Sequence, residues 1–180
     1  SEWEPYALEI LASVLDGGDS ARFSRNLVRG SQVAASASAG YSAFTRLPGM
    51  FLLSGVPATG RSVEELEKAL QAEVTRAQEE LVSAAELERI RNQLIAGKIY
   101  EQDSVYAQAM QIGRLESVGL GWPLIDSYVQ SLAEVTPEQV RAVARKYLTE
   151  DNLTVALLEP QPMDKPNPRD RLAGGQHAIH

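Results

Sequence analysis

The pair Gly17-Gly18 constrains this chain more than any other feature, because it ends a strongly apolar segment with the one residue type that accepts a left-handed backbone at no steric cost. Before it, residues 3–16 place Leu8, Leu11, Val14 and Leu15, with Ala7 and Ala12, at helical spacing on one broad face, which predicts a core helix. After it, Ser20 to Val28 reads as a second, short helix with Arg22 and Arg29 at its shoulders. Residues 32–43 then alternate small and polar side chains, with Ser36 and Ser38 on one face and Ala35, Ala37 and Ala39 on the other. That predicts a strand of little bulk, although alanine is a poor strand former and a helix over 33–39 stays open as the alternative. Thr45 to Gly49, with Pro48, makes a turn, and Met50 to Val56 returns as a more apolar strand ended by Pro57. The two strands form a hairpin.

Three capping boxes mark helix starts downstream. Ser62 with Glu65, Ser83 with Glu86 and Thr136 with Gln139 have the spacing at which side chain and backbone satisfy each other's orphan groups, and Pro137 stands at a first helical position. Helices over 63–80, 84–101 and 137–147 follow, with further helical periodicity over 104–118 and 123–132. Leu153 to Leu158 reads as a last strand closed by Pro160. Residues 161–180 carry Pro162, Pro166, Pro168 and Gly174-Gly175 with few apolar anchors, and read as a flexible tail to a domain over 1–160. Strands followed by helices imply an α+β fold, an antiparallel sheet with helices packed on one face.

Composition excludes several functions. The net charge of −7 is spread among interspersed lysines and arginines, so there is no basic stripe for nucleic acid. No run of 18 apolar residues is present to span a membrane. With no cysteine, disulfides, thiol catalysis and Cys-ligated zinc are out. The only histidines, His177 and His180, stand three apart in the predicted tail, with no third ligand in evidence. Ser20, Ser24 and Ser31 have no histidine to activate them, and the glycines do not follow phosphate-loop spacing. The carboxylates between Glu64 and Glu101 fall mostly on predicted solvent faces. No catalytic residue and no metal ligand emerges.

The order apolar helix, Gly-Gly, Ser20, Arg22-Phe23, Leu27, Arg29 resembles the metal-free second domain of pitrilysin/insulinase-type (inverzincin) zinc peptidases, a fold shared with mitochondrial processing peptidase subunits. Ser83-Ala84-Ala85-Glu86-Leu87 with Gln93-Leu94, and Thr136-Pro137-Glu138-Gln139-Val140 with Lys146-Tyr147-Leu148 and Asn152-Leu153-Thr154-Val155, extend the likeness from about Pro5 to Pro160. The resemblance implies a bacterial carboxy-terminal domain that is not an enzyme by itself. It would form the second wall of a peptide-binding chamber whose zinc sits in a partner domain or subunit bearing H-x-x-E-H. The alternative is a structural core-type subunit with no part in proteolysis, its 84–118 helices packed on a partner.

From the resemblance, Arg29 is the candidate substrate-binding residue, reaching toward peptide across the chamber. A helix-end cation favoured by the macrodipole is the plain alternative. The tyrosine that accompanies this arginine in the family is due at 35 or 36, where Ala35 and Ser36 stand, and Tyr41 lies about 17 to 20 Å farther along an extended strand. Family domains open with a strand before the first helix, whereas this chain begins at Ser1-Glu2-Trp3 directly in the helix. An exposed sheet edge, and with it a homodimer or strand addition from a neighbour, is therefore expected. The family setting implies the periplasm or cell envelope, with the cytoplasm as the alternative.

Overall fold

The computed structural model describes residues 2–160 apart from Gln102. Helix α1 (Glu4–Asp16) is the hub, with Ala7, Ile10, Leu11, Val14 and Leu15 fully buried. It ends where predicted: Gly18 is left-handed at φ 97°, and Gly17 lies so close to the last helical turn that a Cβ would sit 2.3 Å from the Ser13 carbonyl oxygen. The next segment is a correction. Instead of an ordinary helix over Ser20 to Val28, the chain forms a π-helix over Phe23–Gly30, closed by the Ser31 amide donating to the Asn26 carbonyl five residues back. The wider turn buries both Phe23 and Leu27, and it suits Gly30, whose added Cβ would come 2.9 Å from the Arg25 carbonyl oxygen.

Strands β1 (Ala34–Gly40) and β2 (Leu52–Pro57) pair antiparallel, so the helical alternative for 33–39 is not realised. Ala35 drops out of the ladder at an irregularity between Ala34 and Ser36 and is exposed, leaving Ala37 and Ala39 to face inward. Those two pack with Leu53 against Leu15, Phe23, Leu27 and Leu66. On the other face Ser36 stands opposite Val56, Ser38 opposite Ser54 and Gly40 opposite Leu52, all six exposed. The helices therefore lie on one side of the sheet. Gly55 allows this closeness, since a Cβ there would meet Leu66 of α2 (Val63–Glu79) at 3.1 Å. An eleven-residue stretch, 41–51, joins the strands where a tight turn at Thr45–Gly49 was expected.

The remaining helices are α3 (Ala84–Glu101), α4 (Val105–Val118), α5 (Leu124–Glu134) and α6 (Pro137–Tyr147). Both halves of the capping box form at Ser62/Glu65 and Thr136/Gln139. At Ser83 only the hydroxyl accepts, from the Glu86 amide at 3.2 Å, because the Glu86 carboxylate is taken by Arg22. A second core joins α1, α3, α5 and α6 through Ile90, Tyr128, Leu132, Val140 and Val143. Leu153 to Leu158 corrects another expectation: it is not in a strand, since no described strand hydrogen-bonds to it, and every residue in it is exposed. The predicted tail at 161–180 lies outside the described residues.

Glu4 ties the hub helix to α6. Its carboxylate accepts from Lys146 Nζ and Tyr147 Oη, each at 2.7 Å. Chiefly the Lys146 hydrogen bond, then that from Tyr147, holds its pKa at about 2, against an ordinary 4.5. Glu9, in the same helix, is shifted the other way by burial. A lowered carboxylate pKa contributes stability that is complete above the ordinary value and is lost as pH falls through the folded one, whereas a raised pKa costs stability as pH rises past the ordinary value. Glu4→Gln is thus expected to destabilise the chain at neutral pH and to lose that effect as pH falls from 4.5 toward 2. Urea denaturation of both proteins at several pH values checks it.

Candidate functional site

Arg29 occupies the last turn of the π-helix and is exposed. Its Nη2 donates to the main-chain carbonyl of Asp19, so the guanidinium is tied back across the Gly17-Gly18 turn. The other shoulder, Arg22, is buried. Its Nε and Nη2 donate to the two carboxylate oxygens of Glu86 at 3.3 and 3.1 Å, a two-point grip that fits a planar guanidinium to a carboxylate. One helical repeat on, Asn26 Nδ2 donates to Glu73 Oε1 at 2.9 Å, and Glu73 also pairs with Arg76 at 3.2 Å. Glu73 and Glu86 thereby depart from the solvent-facing expectation for the carboxylates of residues 64–101. Each is turned inward by a polar group on the segment that carries Arg29. That segment is fastened to α2 and α3 by charge and to the sheet by Phe23 and Leu27.

Ala35 and Ser36, where the family's tyrosine would stand, are both exposed on β1 and bring no ring near Arg29. Tyr41 lies just past the strand end, stacked with Phe51 at 6.3 Å between ring centroids. It lines a cavity of about 370 Å³ together with Glu9, Asp16, Lys98 and Tyr128. The Tyr128 hydroxyl and, at 3.5 Å, the Ala43 amide donate to Glu9, while Lys98 Nζ stands 5.4 Å from the Tyr128 ring centre. Burial is the largest cause of the raised pKa of both Glu9 and Tyr128. The carboxylate therefore works as an acceptor that braces α1, α5 and the start of the 41–51 connection. Sequence reasoning missed this cluster, although Glu9, Ser13 and Asp16 recur at four and three residues along one helix face and were a readable signal.

The chain lacks cysteine, and among the described residues no three of His, Asp and Glu come together to hold a metal ion. His177 and His180 lie outside those residues. What the geometry offers is a helix-backed sheet with one uncovered face, and an exposed arginine, Arg29, five residues before the first strand.

The described residues form a two-layer α+β domain, a two-stranded antiparallel sheet backed by helices on one face. The sequence matches the family described as the peptidase M16 inactive domain over residues 1–94, more than half of the chain, and the chain belongs to the M16 (pitrilysin/insulinase-type) peptidase family. Solved structures share the fold. A protease from Helicobacter pylori superposes with a TM-score of 0.75 at 20% identity, covering 83% of this chain, which spans only 36% of that protein's length. A protein from Bordetella pertussis Tohama I assigned as a zinc protease gives 0.77 at 19%, covering 88% of this chain and 86% of its own. The inactive peptidase domain of an assigned zinc protease from Bordetella parapertussis gives 0.71 at 19%, covering 91% and 88%. No curated protein matches the chain.

Proposed function

We propose that this domain is the second wall of a peptide-binding chamber and assists proteolysis at a zinc site held by an H-x-x-E-H domain or subunit. The uncovered sheet face carries this reading. Ser36, Ser38 and Ser54 lie beside Leu52 and Val56 on that face, with no charge and little bulk, so the side chains of an extended peptide can pack against it. Arg29, close to where the chain enters β1, supplies the cation for a peptide carbonyl or carboxylate. To do so it exchanges its contact with the Asp19 carbonyl for the substrate.

Arg29→Ala is expected to change folding stability by no more than about 1 kcal/mol, as for loss of one exposed helix-end charge, while lowering turnover by the assembled enzyme. Undiminished turnover in the Arg29→Ala complex would remove the residue from substrate handling and leave it a helix-end cation.

A purely structural subunit is the second reading, and one observation favours it. Helix α4 exposes Val105, Tyr106, Met110 and Ile112, an apolar face suited to packing on a partner. Loss of assembly without loss of turnover per assembled complex, on substituting Tyr106 and Met110 by polar residues, would support it.

A further inference from the structure

The wide turn that carries Arg29 is closed at one residue. The Asn26 carbonyl accepts from the Ser31 amide at 2.8 Å and from the Ser31 hydroxyl at 3.0 Å. On its side chain, Oδ1 accepts from Arg25 Nε at 3.2 Å and Nδ2 donates to Glu73 Oε1 at 2.9 Å. Glu73 lies in α2 and is 3% exposed, so this last contact fastens the turn to the interior. The chain then leaves through Gln32, left-handed at φ 52°, before β1 begins at Ala34. A left-handed residue other than glycine persists where its surroundings hold it, and π-turns concentrate at functional sites.

The register of this turn decides where the cation points. Residues three apart on an α-helix are neighbours on one face, so an ordinary helix would set Arg29 beside Asn26, toward Glu73. That buried carboxylate already holds Arg76 at 3.2 Å, and its Oε2 is unpaired among the described residues. It would take the guanidinium into a pair that is costly to break. Closure five residues on draws one more residue into the turn and carries Arg29 off that face. Arg29 donates instead to the Asp19 main-chain carbonyl, a neutral acceptor that releases a cation more readily than a carboxylate does.

We propose that Asn26 is a positioning residue, which pins the π-turn to Glu73 and so keeps Arg29 off the α2 face and on an acceptor that a peptide can displace. The effect on cleavage rests on the peptidase reading of Arg29, whereas the placement of the guanidinium does not. Asn26→Asp sets a second carboxylate against Glu73, and Asn26→Asp with Glu73→Gln restores the contact with donor and acceptor exchanged. In NMR on the 180-residue chain, Asn26→Asp is expected to speed exchange of the Ser31 amide about tenfold or more and to displace the Arg29 Nε–H signal, and the double variant to return both. Should Asn26→Asp not fold, Ser31→Ala, which removes one of the two donors that close the turn, takes its place in both measurements. In the assembled enzyme Asn26→Asp should lower kcat/KM for peptide, and should add nothing to the loss in an Arg29→Ala background, because both changes remove one interaction. Unchanged exchange at residue 31 with an unmoved Arg29 signal would overturn the proposal, as would losses of kcat/KM that add. If Arg29→Ala itself leaves kcat/KM unchanged, the peptidase reading of Arg29 fails, and the NMR comparison alone decides whether Asn26 places the guanidinium.

Discussion

Glu86→Ala is expected to lower the unfolding free energy by about 3 to 4 kcal/mol, because it strands a cation in the interior. The Arg22 side chain is 6% exposed, its Nη1 already lacks a partner, and Glu86 supplies both contacts to Nε and Nη2. Removing the carboxylate removes the acceptors that, among the described residues, offset the desolvation of the guanidinium. Glu86→Gln, which keeps an acceptor but not the charge, should cost less. As a control, Arg61 pairs with Glu65 at 3.4 Å in the open, and Arg61→Ala should cost under about 1 kcal/mol. Urea denaturation of the three variants separates these cases. A loss below 1 kcal/mol for Glu86→Ala would mean that the Arg22 pair does not anchor the π-helix.

Gly17→Ala is the other substitution with a large expected effect, about 3 kcal/mol, at the upper end of what overpacking usually costs. The new methyl would sit 2.3 Å from the Ser13 carbonyl oxygen, and that oxygen belongs to the backbone of a helix whose next residues are buried. No side-chain rotation relieves the clash. Gly18→Ala acts through a different cause, the left-handed φ of 97°, with only the end of Gln93 nearby at 3.5 Å, and should cost less. Melting curves that rank Gly17→Ala as the milder of the two would contradict this account of the turn.

Much of the fold was legible because its signals are local. The turn at Gly17-Gly18 and the boxes at Ser62 and Thr136 depend on residues within a few positions of one another, and the two strands of the hairpin are each read from their own alternation. The missing half of the Ser83 box shows where locality ends: Glu86 has the right spacing, but a buried arginine 64 residues away outcompetes the backbone amide. The π-helix was illegible for another reason. Phe23 and Leu27, four apart, lie on one side of a tight or a wide turn alike, and the choice between them is made by packing against Leu15 and Leu66. Leu153 to Leu158 has the composition of a strand, but a strand also needs an edge to pair with, which the segment's own sequence does not carry.

The candidate site was legible only in part. Arg29 could be picked out by its place in a family pattern, whereas its contact with the Asp19 carbonyl depends on how the glycine turn folds back. The inward turn of Glu73 toward Asn26 and the bracing of Glu9 by Tyr128 join residues 47 and 119 positions apart, and no spacing rule reaches that far.

Peptide cleavage by the H-x-x-E-H partner, measured with and without this chain, tests the central claim most directly. The chain alone should cleave nothing and hold no stoichiometric zinc within residues 2–160, and its addition should raise the partner's turnover of peptide substantially. A partner that cleaves equally well without the chain, or zinc-dependent cleavage by the chain alone, would contradict the account.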